Sequence, residues 1–214
     1  QKQYSRKINL DLKRINLALE KLGNIHKNIK NPINIIGSDG KYSTLRSLQS
    51  FIESSGNKCT FFVSPHLKSV TERIWLKNKF ISTDELKNNI KIIQKLNVKL
   101  TLFEVLNLAY YISASKIKDS SFSLVEAGLL FKGDSTRVWD APKCQIVCNI
   151  NEQHLEWVKP KNLSEIIKQK VGFLSKKTTI YIAKQKPKTL KKIKKILKKN
   201  PSKKVYYGSG WILK

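Results

Sequence analysis

Apolar residues along this chain alternate between short continuous runs and helix-spaced stripes, and polar capping residues mark several of the joins. Residues 11–22 read as an amphipathic helix that stops at Gly23. The run Ile33-Asn34-Ile35-Ile36 predicts a strand. A glycine-containing turn follows, then a helix carrying Leu45, Leu48, Phe51 and Ile52 and closing near Gly56. Lys58 to Val63 predict a second strand, and 64–81, with Pro65 early on, read as a loop. Ser82-Thr83-Asp84-Glu85 is a capping box opening a helix with Leu86, Ile90 and Ile93 on one face. Thr101-Leu102-Phe103-Glu104 opens another that runs to about Ser113. Strands are predicted over Phe122 to Val125, ending at Glu126, and over Cys144 to Ile150. Asn162-Leu163-Ser164-Glu165 caps a short helix ending near Gly172. Strand 178–183, helix 189–199 with Thr189 as its N-cap, and strand 203–208 complete the series.

This alternation predicts an α/β fold, a mainly parallel sheet with helices on both faces. No internal repeat and no long linker divides it. In an open parallel sheet the carboxyl ends of the strands share one edge, where ligands bind. The glycine turn, Ser64, Glu126 and the segment bearing His154 each follow a strand end directly or within a few residues. Four polar groups are therefore expected to converge on one cleft.

A hydrophobic content of 40% in 214 residues fits a packed core of one large domain. No apolar run approaches a membrane span, and the first residues do not form a signal peptide. Cys59, Cys144 and Cys148 make a poor metal set and are expected as buried thiols in a reducing cytoplasm. The net charge of +27 raises nucleic acid as a partner, but only five of the 42 basic residues are Arg. The densest block, Lys184 to Lys204, holds eleven lysines and reads as a solvated helix face. Nucleic acid is therefore not the expected partner.

The candidate chemistry lies in Gly37-Ser38-Asp39-Gly40-Lys41-Tyr42-Ser43-Thr44. Strand, glycine turn, lysine and helix start together make a phosphate cradle, although an ordinary strand-to-helix turn has the same outline. The spacing departs from the usual P-loop, because the glycines are three residues apart and Tyr42 follows Lys41. Glu126 at a strand end needs a partner when buried, and a magnesium ion bound mainly through phosphate oxygens would serve. For His154, an ordinary surface histidine is the competing reading.

Six motifs in series resemble the folylpolyglutamate synthase/dihydrofolate synthase branch of the Mur ligase superfamily. They begin with the glycine turn, then Ser64-Pro65-His66-Leu67 with Thr71-Glu72-Arg73-Ile74, and Leu100-Thr101-Leu102-Phe103-Glu104-Val105. Val125-Glu126-Ala127-Gly128 with Asp134-Ser135-Thr136, Asn149-Ile150 with His154-Leu155-Glu156-Trp157, and Lys170-Val171-Gly172-Phe173 follow. Arg14-Ile15 and Leu22-Gly23-Asn24 match the family's opening helix. The resemblance implies a P-loop NTPase-like Mur ligase central domain. It implies that residues 37–44 bind ATP, with Lys41 on the β/γ oxygens. Ser64 and Glu126 would ligate one Mg²⁺, His154 a second, and Lys170 would be a carbamate. The implied reaction passes the γ-phosphate of ATP to a folate or dihydropteroate carboxylate, and the amine of L-glutamate then attacks the acyl phosphate.

The chain departs from the family at Tyr42, where a small residue is usual, and at Leu130-Phe131, where a glycine pair is expected. Gln153 stands for Asp and Lys159 for Gly. Tyr42 is expected either to bring bulk close to the phosphates or to point outward. Residues 1–214 are read as the ATP-binding domain of a monomeric cytoplasmic enzyme, without the C-terminal ligase domain, and thus as a fragment. A Mur-type ligase of cell-wall precursors and a degenerate basic nucleotide- or polyanion-binding module are the competing readings.

Overall fold

The computed structural model describes residues 10–212, so the opening residues read as free of a signal peptide lie almost wholly outside it. In chain order the first elements are α1 (Lys13–Lys21), β1 (Pro32–Ile36), α2 (Lys41–Ser54), β2 (Cys59–Phe62), β3 (Ile74–Leu76) and β4 (Lys79–Phe80). Then come α3 (Thr83–Gln94), α4 (Leu102–Ala114), β5 (Phe122–Glu126) and β6 (Cys144–Val147). The last are α5 (Leu163–Val171), β7 (Thr179–Ile182), α6 (Pro187–Leu197) and β8 (Lys204–Tyr206). The strands form one sheet in the order β4-β3-β2-β5-β1-β6-β7-β8. All pairings from β2 to β8 are parallel, while β3 pairs antiparallel with both β2 and β4.

The two-residue period of a strand sorts neighbouring side chains to opposite faces. Ile33, Ile35, Phe61 and Leu124 pack with Leu45 of α2 on one face. Phe62 and Val125 turn the other way, toward α1, α3 and α4. Ile36, Val147, Ile180 and Ile182 share that second face and pack with Ile166, Ile167 and Val171 of α5 and Ile193 and Leu197 of α6. Helices do cover both faces, and among the described residues α2 stands by itself on its side. The α4 sequence is apolar nearly all round, and every residue from Glu104 to Ala114 is buried, as expected of a helix sandwiched between neighbours. Among the described residues, no helix is long and apolar enough to cross a membrane.

Three local readings need correction. Residues 64–81 are more than a loop, because they hold a 3-10 turn over Val70–Arg73 and the β3–β4 hairpin. Strands of three and two residues are too short for periodicity to show, and the reversal sits at Lys77 with φ 67°. Thr189 is not an N-cap; α6 starts at Pro187, whose missing N–H suits the first helical position. At Ser82 the hydroxyl caps the Glu85 amide, but the Glu85 carboxylate instead accepts the Ser113 hydroxyl at 2.5 Å, so only half of a capping box forms. The reciprocal box at Thr101 and Glu104 is complete.

Candidate functional site

The glycine turn is held by the segment that follows β6. Ser38 and Asp39 donate their amides to Asn149 O at 2.8 and 3.3 Å, and the Ser38 hydroxyl meets Asn151 N–H at 3.1 Å. That approach leaves no space at Gly37, where a Cβ would lie 2.8 Å from Cys148 Cβ and 3.1 Å from Asn149 O. Gly40 precedes the first residue of α2 with φ 78°, a left-handed conformation that favours glycine. The first amides of α2, at Lys41, Tyr42 and Ser43, then point away from the helix body, where an anion would find them.

Lys41 donates to Ser38 O at 3.0 Å and lies 3.9 Å from the Glu126 carboxylate. Glu126 ends β5 almost fully buried and accepts the Ser64 amide at 3.2 Å. Burial pushes its carboxyl upward, against the pull of Ser64 N–H, Lys41 and Arg73. Arg73 is itself half-buried and fixed by donating Nε–H to His66 Nδ1 at 3.0 Å. Asp134 is buried and accepts Gly128 N–H at 2.8 Å and the Thr136 amide and hydroxyl at 2.9 and 2.6 Å. At His154, with φ 64°, burial and the nearby Lys170 and Lys41 lower the pKa against the pull of Glu156, which favours the neutral imidazole.

Lys41, Ser64, Arg73, Asp134 and His154 line a cleft of about 690 Å³ whose walls include Leu10, Thr101, Leu102, Phe103 and Leu129. Lys170 stands beneath the turn. Its fully buried Nζ donates to Gly37 O at 2.8 Å and Leu129 O at 2.5 Å, and burial lowers its pKa to about 7. The structure thus brings the turn, Ser64, Glu126 and His154 to one edge, with Lys170 behind them. Tyr42 is half exposed and is not among the residues that line the cleft. Leu130 and Phe131 are buried and join the core under α5 instead of lining the turn.

Among the described residues, no three His, Cys, Asp or Glu side chains gather as a metal cluster. A hard divalent ion that takes its remaining ligands from phosphate and water needs fewer protein donors. The buried Glu126 carboxylate beside Ser64 fits such an ion, and neutral His154 keeps a lone pair to offer one.

Sequence reasoning assigned no role to Arg73, Asp134 or Gln185. Gln185 bridges the turn's support, accepting Ile150 N–H at 3.0 Å and donating to Cys148 O at 2.8 Å. It lies inside the lysine-rich block, and no local signal marks it.

A glycine turn and lysine between β1 and α2, beside a carboxylate at the end of the neighbouring strand, form the strand–turn–helix unit of an α/β fold built on a mainly parallel sheet. No protein-family model matches the chain. Over 190 residues it is 28% identical to the dihydrofolate synthase/folylpolyglutamate synthase of Escherichia coli (strain K12), covering 87% of this chain and 44% of that protein. E. coli FolC in complex with DHPP and ADP superimposes with a TM-score of 0.88 at 23% identity, covering 99% of this chain and 50% of that one. The bifunctional folylpolyglutamate synthase/dihydrofolate synthase from Yersinia pestis, complexed with AMPPNP and Mn ion, gives 0.86 at 21%, covering 98% and 50%. The chain is similar to the dihydrofolate synthase/folylpolyglutamate synthase family and spans about half the length of these relatives.

Proposed function

We propose that this chain is the ATP-binding part, spanning residues 1–214, of a magnesium-dependent ligase. The ligase joins L-glutamate to the carboxylate of a folate or dihydropteroate. The observation that carries the reading is Lys41, at the start of a helix with open amides, facing buried Glu126 at the edge of a cleft with apolar walls. In this reading residues 37–44 hold ATP, and Lys41 offsets charge on the β/γ oxygens as the substrate carboxylate takes the γ-phosphoryl group. Leu10, Leu102, Phe103 and Leu129 would pack the flat ring system while Arg73 faces its charged end. Ser64 and Glu126 would hold one magnesium and His154 a second, supplying charge neutralisation at the phosphates.

Lys170, with its amine near neutrality, suits addition of CO₂ to give a carbamate and a released proton. The part of the relatives' length beyond this chain would receive glutamate, whose amine displaces phosphate from the acyl phosphate. A monomer working in the cytoplasm belongs to the same reading.

Calorimetric titration with MgATP tests it. Lys41→Ala is expected to weaken binding at least about tenfold, the loss of roughly 1.4 kcal/mol from a charge-assisted contact. Wild-type affinity in that variant would overturn the assignment. Dihydropteroate, followed by its own fluorescence, should be displaced by folate and not by a nucleotide-linked peptide.

A further inference from the structure

The Asp39 carboxylate is gripped by two amides from one segment, Asn151 Nδ2 on one oxygen and Gln153 Nε2 at 2.7 Å on the other. With the Asn149 and Ser38 hydrogen bonds, these contacts stitch the glycine turn to residues 149–153. Gln153 is the last tie before His154, which takes up its left-handed φ of 64° immediately afterwards. A carboxylate at 153 would meet the Asp39 carboxylate at hydrogen-bonding distance, and two acids that close cannot both ionise cheaply. A glutamine at 153 therefore has a physical reason within this chain, namely Asp39.

We propose that Asp39 and Gln153 are a matched positioning pair that sets His154 against the phosphate turn. The turn's own residue demands an amide at 153, and the amide fixes where the His154 backbone starts. The role at the nucleotide rests on the functional reading above, whereas the pair itself does not.

A double-mutant cycle tests both parts. Gln153→Glu keeps the side-chain length and replaces the donor by an acceptor; Asp39→Asn with Gln153→Glu restores one donor and one acceptor. In that double variant the amide at position 39 donates to the carboxylate at 153, and its carbonyl oxygen still accepts from Asn151. The Asp39→Asn single variant removes from the comparison any direct effect of the Asp39 charge on phosphate.

Without nucleotide, Gln153→Glu should lower Tm by about 3–6 °C, with most of that returning in the double variant. In MgATP titration, Gln153→Glu should weaken binding about tenfold, and the double variant should recover beyond the effect of Asp39→Asn alone. Additive effects on Tm would overturn the pair. Coupling in Tm with additive effects on MgATP affinity would overturn its role at the site. If Gln153→Glu does not fold, refolding of the double variant supports the pair, and failure of both overturns it. A wild-type chain that does not bind MgATP would overturn the functional reading and the pair's role in it, while the Tm cycle still judges the pair.

Discussion

Lys170→Met exchanges a buried amine for an uncharged side chain of similar length, and the stability difference between the two proteins should depend on pH in a defined way. The Lys170 amine has a pKa of about 7 in the folded chain and an ordinary value of 10.5 when exposed. At 1.36 kcal/mol per pKa unit, that gap corresponds to about 5 kcal/mol of cost to the folded state below pH 7, where both states are protonated. Between pH 7 and 10.5 the unfolded chain binds more protons than the folded one. Wild-type stability should therefore rise with pH over that window, relative to the variant. The cost is fully present below 7 and is relieved as the pH climbs toward 10.5. Against it stand the donor bonds to Gly37 O and Leu129 O, which the variant loses at every pH. Urea denaturation of both proteins in CO₂-free buffer at pH 6, 7, 8 and 9 is the assay. The wild type should gain about 2.3 kcal/mol on Lys170→Met between pH 7 and 9, and only about 0.4 kcal/mol between 6 and 7. Titrating groups that do not feel Lys170 are common to the pair and cancel; His154 and Asp134 do feel it, and the pH 7 to 9 window lies above their range. A difference that stays flat from pH 7 to 9 would refute a buried, near-neutral amine.

Gly37→Ala should destabilise the fold by about 1–3 kcal/mol in the same assay, because its Cβ must displace Cys148 or the Asn149 carbonyl. MgATP affinity should fall with it. Arg14→Ala removes the partner of buried Glu104, held through two bonds of 3.0 and 3.2 Å, and should cost about 2–3 kcal/mol. Glu104 keeps the Thr101 amide and hydroxyl, so a loss above that range would mean that the pair carries more than a wall of the cleft.

What could be read from the sequence is what local chemistry encodes. The Thr101–Glu104 box, the Asn162 cap and the glycine at 40 announce themselves within four residues, and the structure has them. Strand ends fixed which edge would gather Ser64, Glu126 and His154, because a parallel sheet aligns its carboxyl ends. Contacts between distant segments left no such trace. The charge of Arg73 bears on Glu126 from more than fifty residues away, and Gln185 supports the turn from the far side of β7. The sequence leaves the exposure of Tyr42 open, since how far a residue at the second position of a helix is covered depends on how α2 packs. That packing is set by Leu45 against β1, β2 and β5.

The thiols carry a practical consequence. Burial lifts Cys59 to about 12 and Cys144 to about 11, and Cys148 is raised as well. Thiolate, the reactive form, is scarce in all three at neutral pH. A cysteine introduced at half-exposed position 42 would stand out chemically against them. The native chain therefore supplies a quiet background on which a single fluorophore beside the phosphate turn would report nucleotide arrival, with no cysteine removed first.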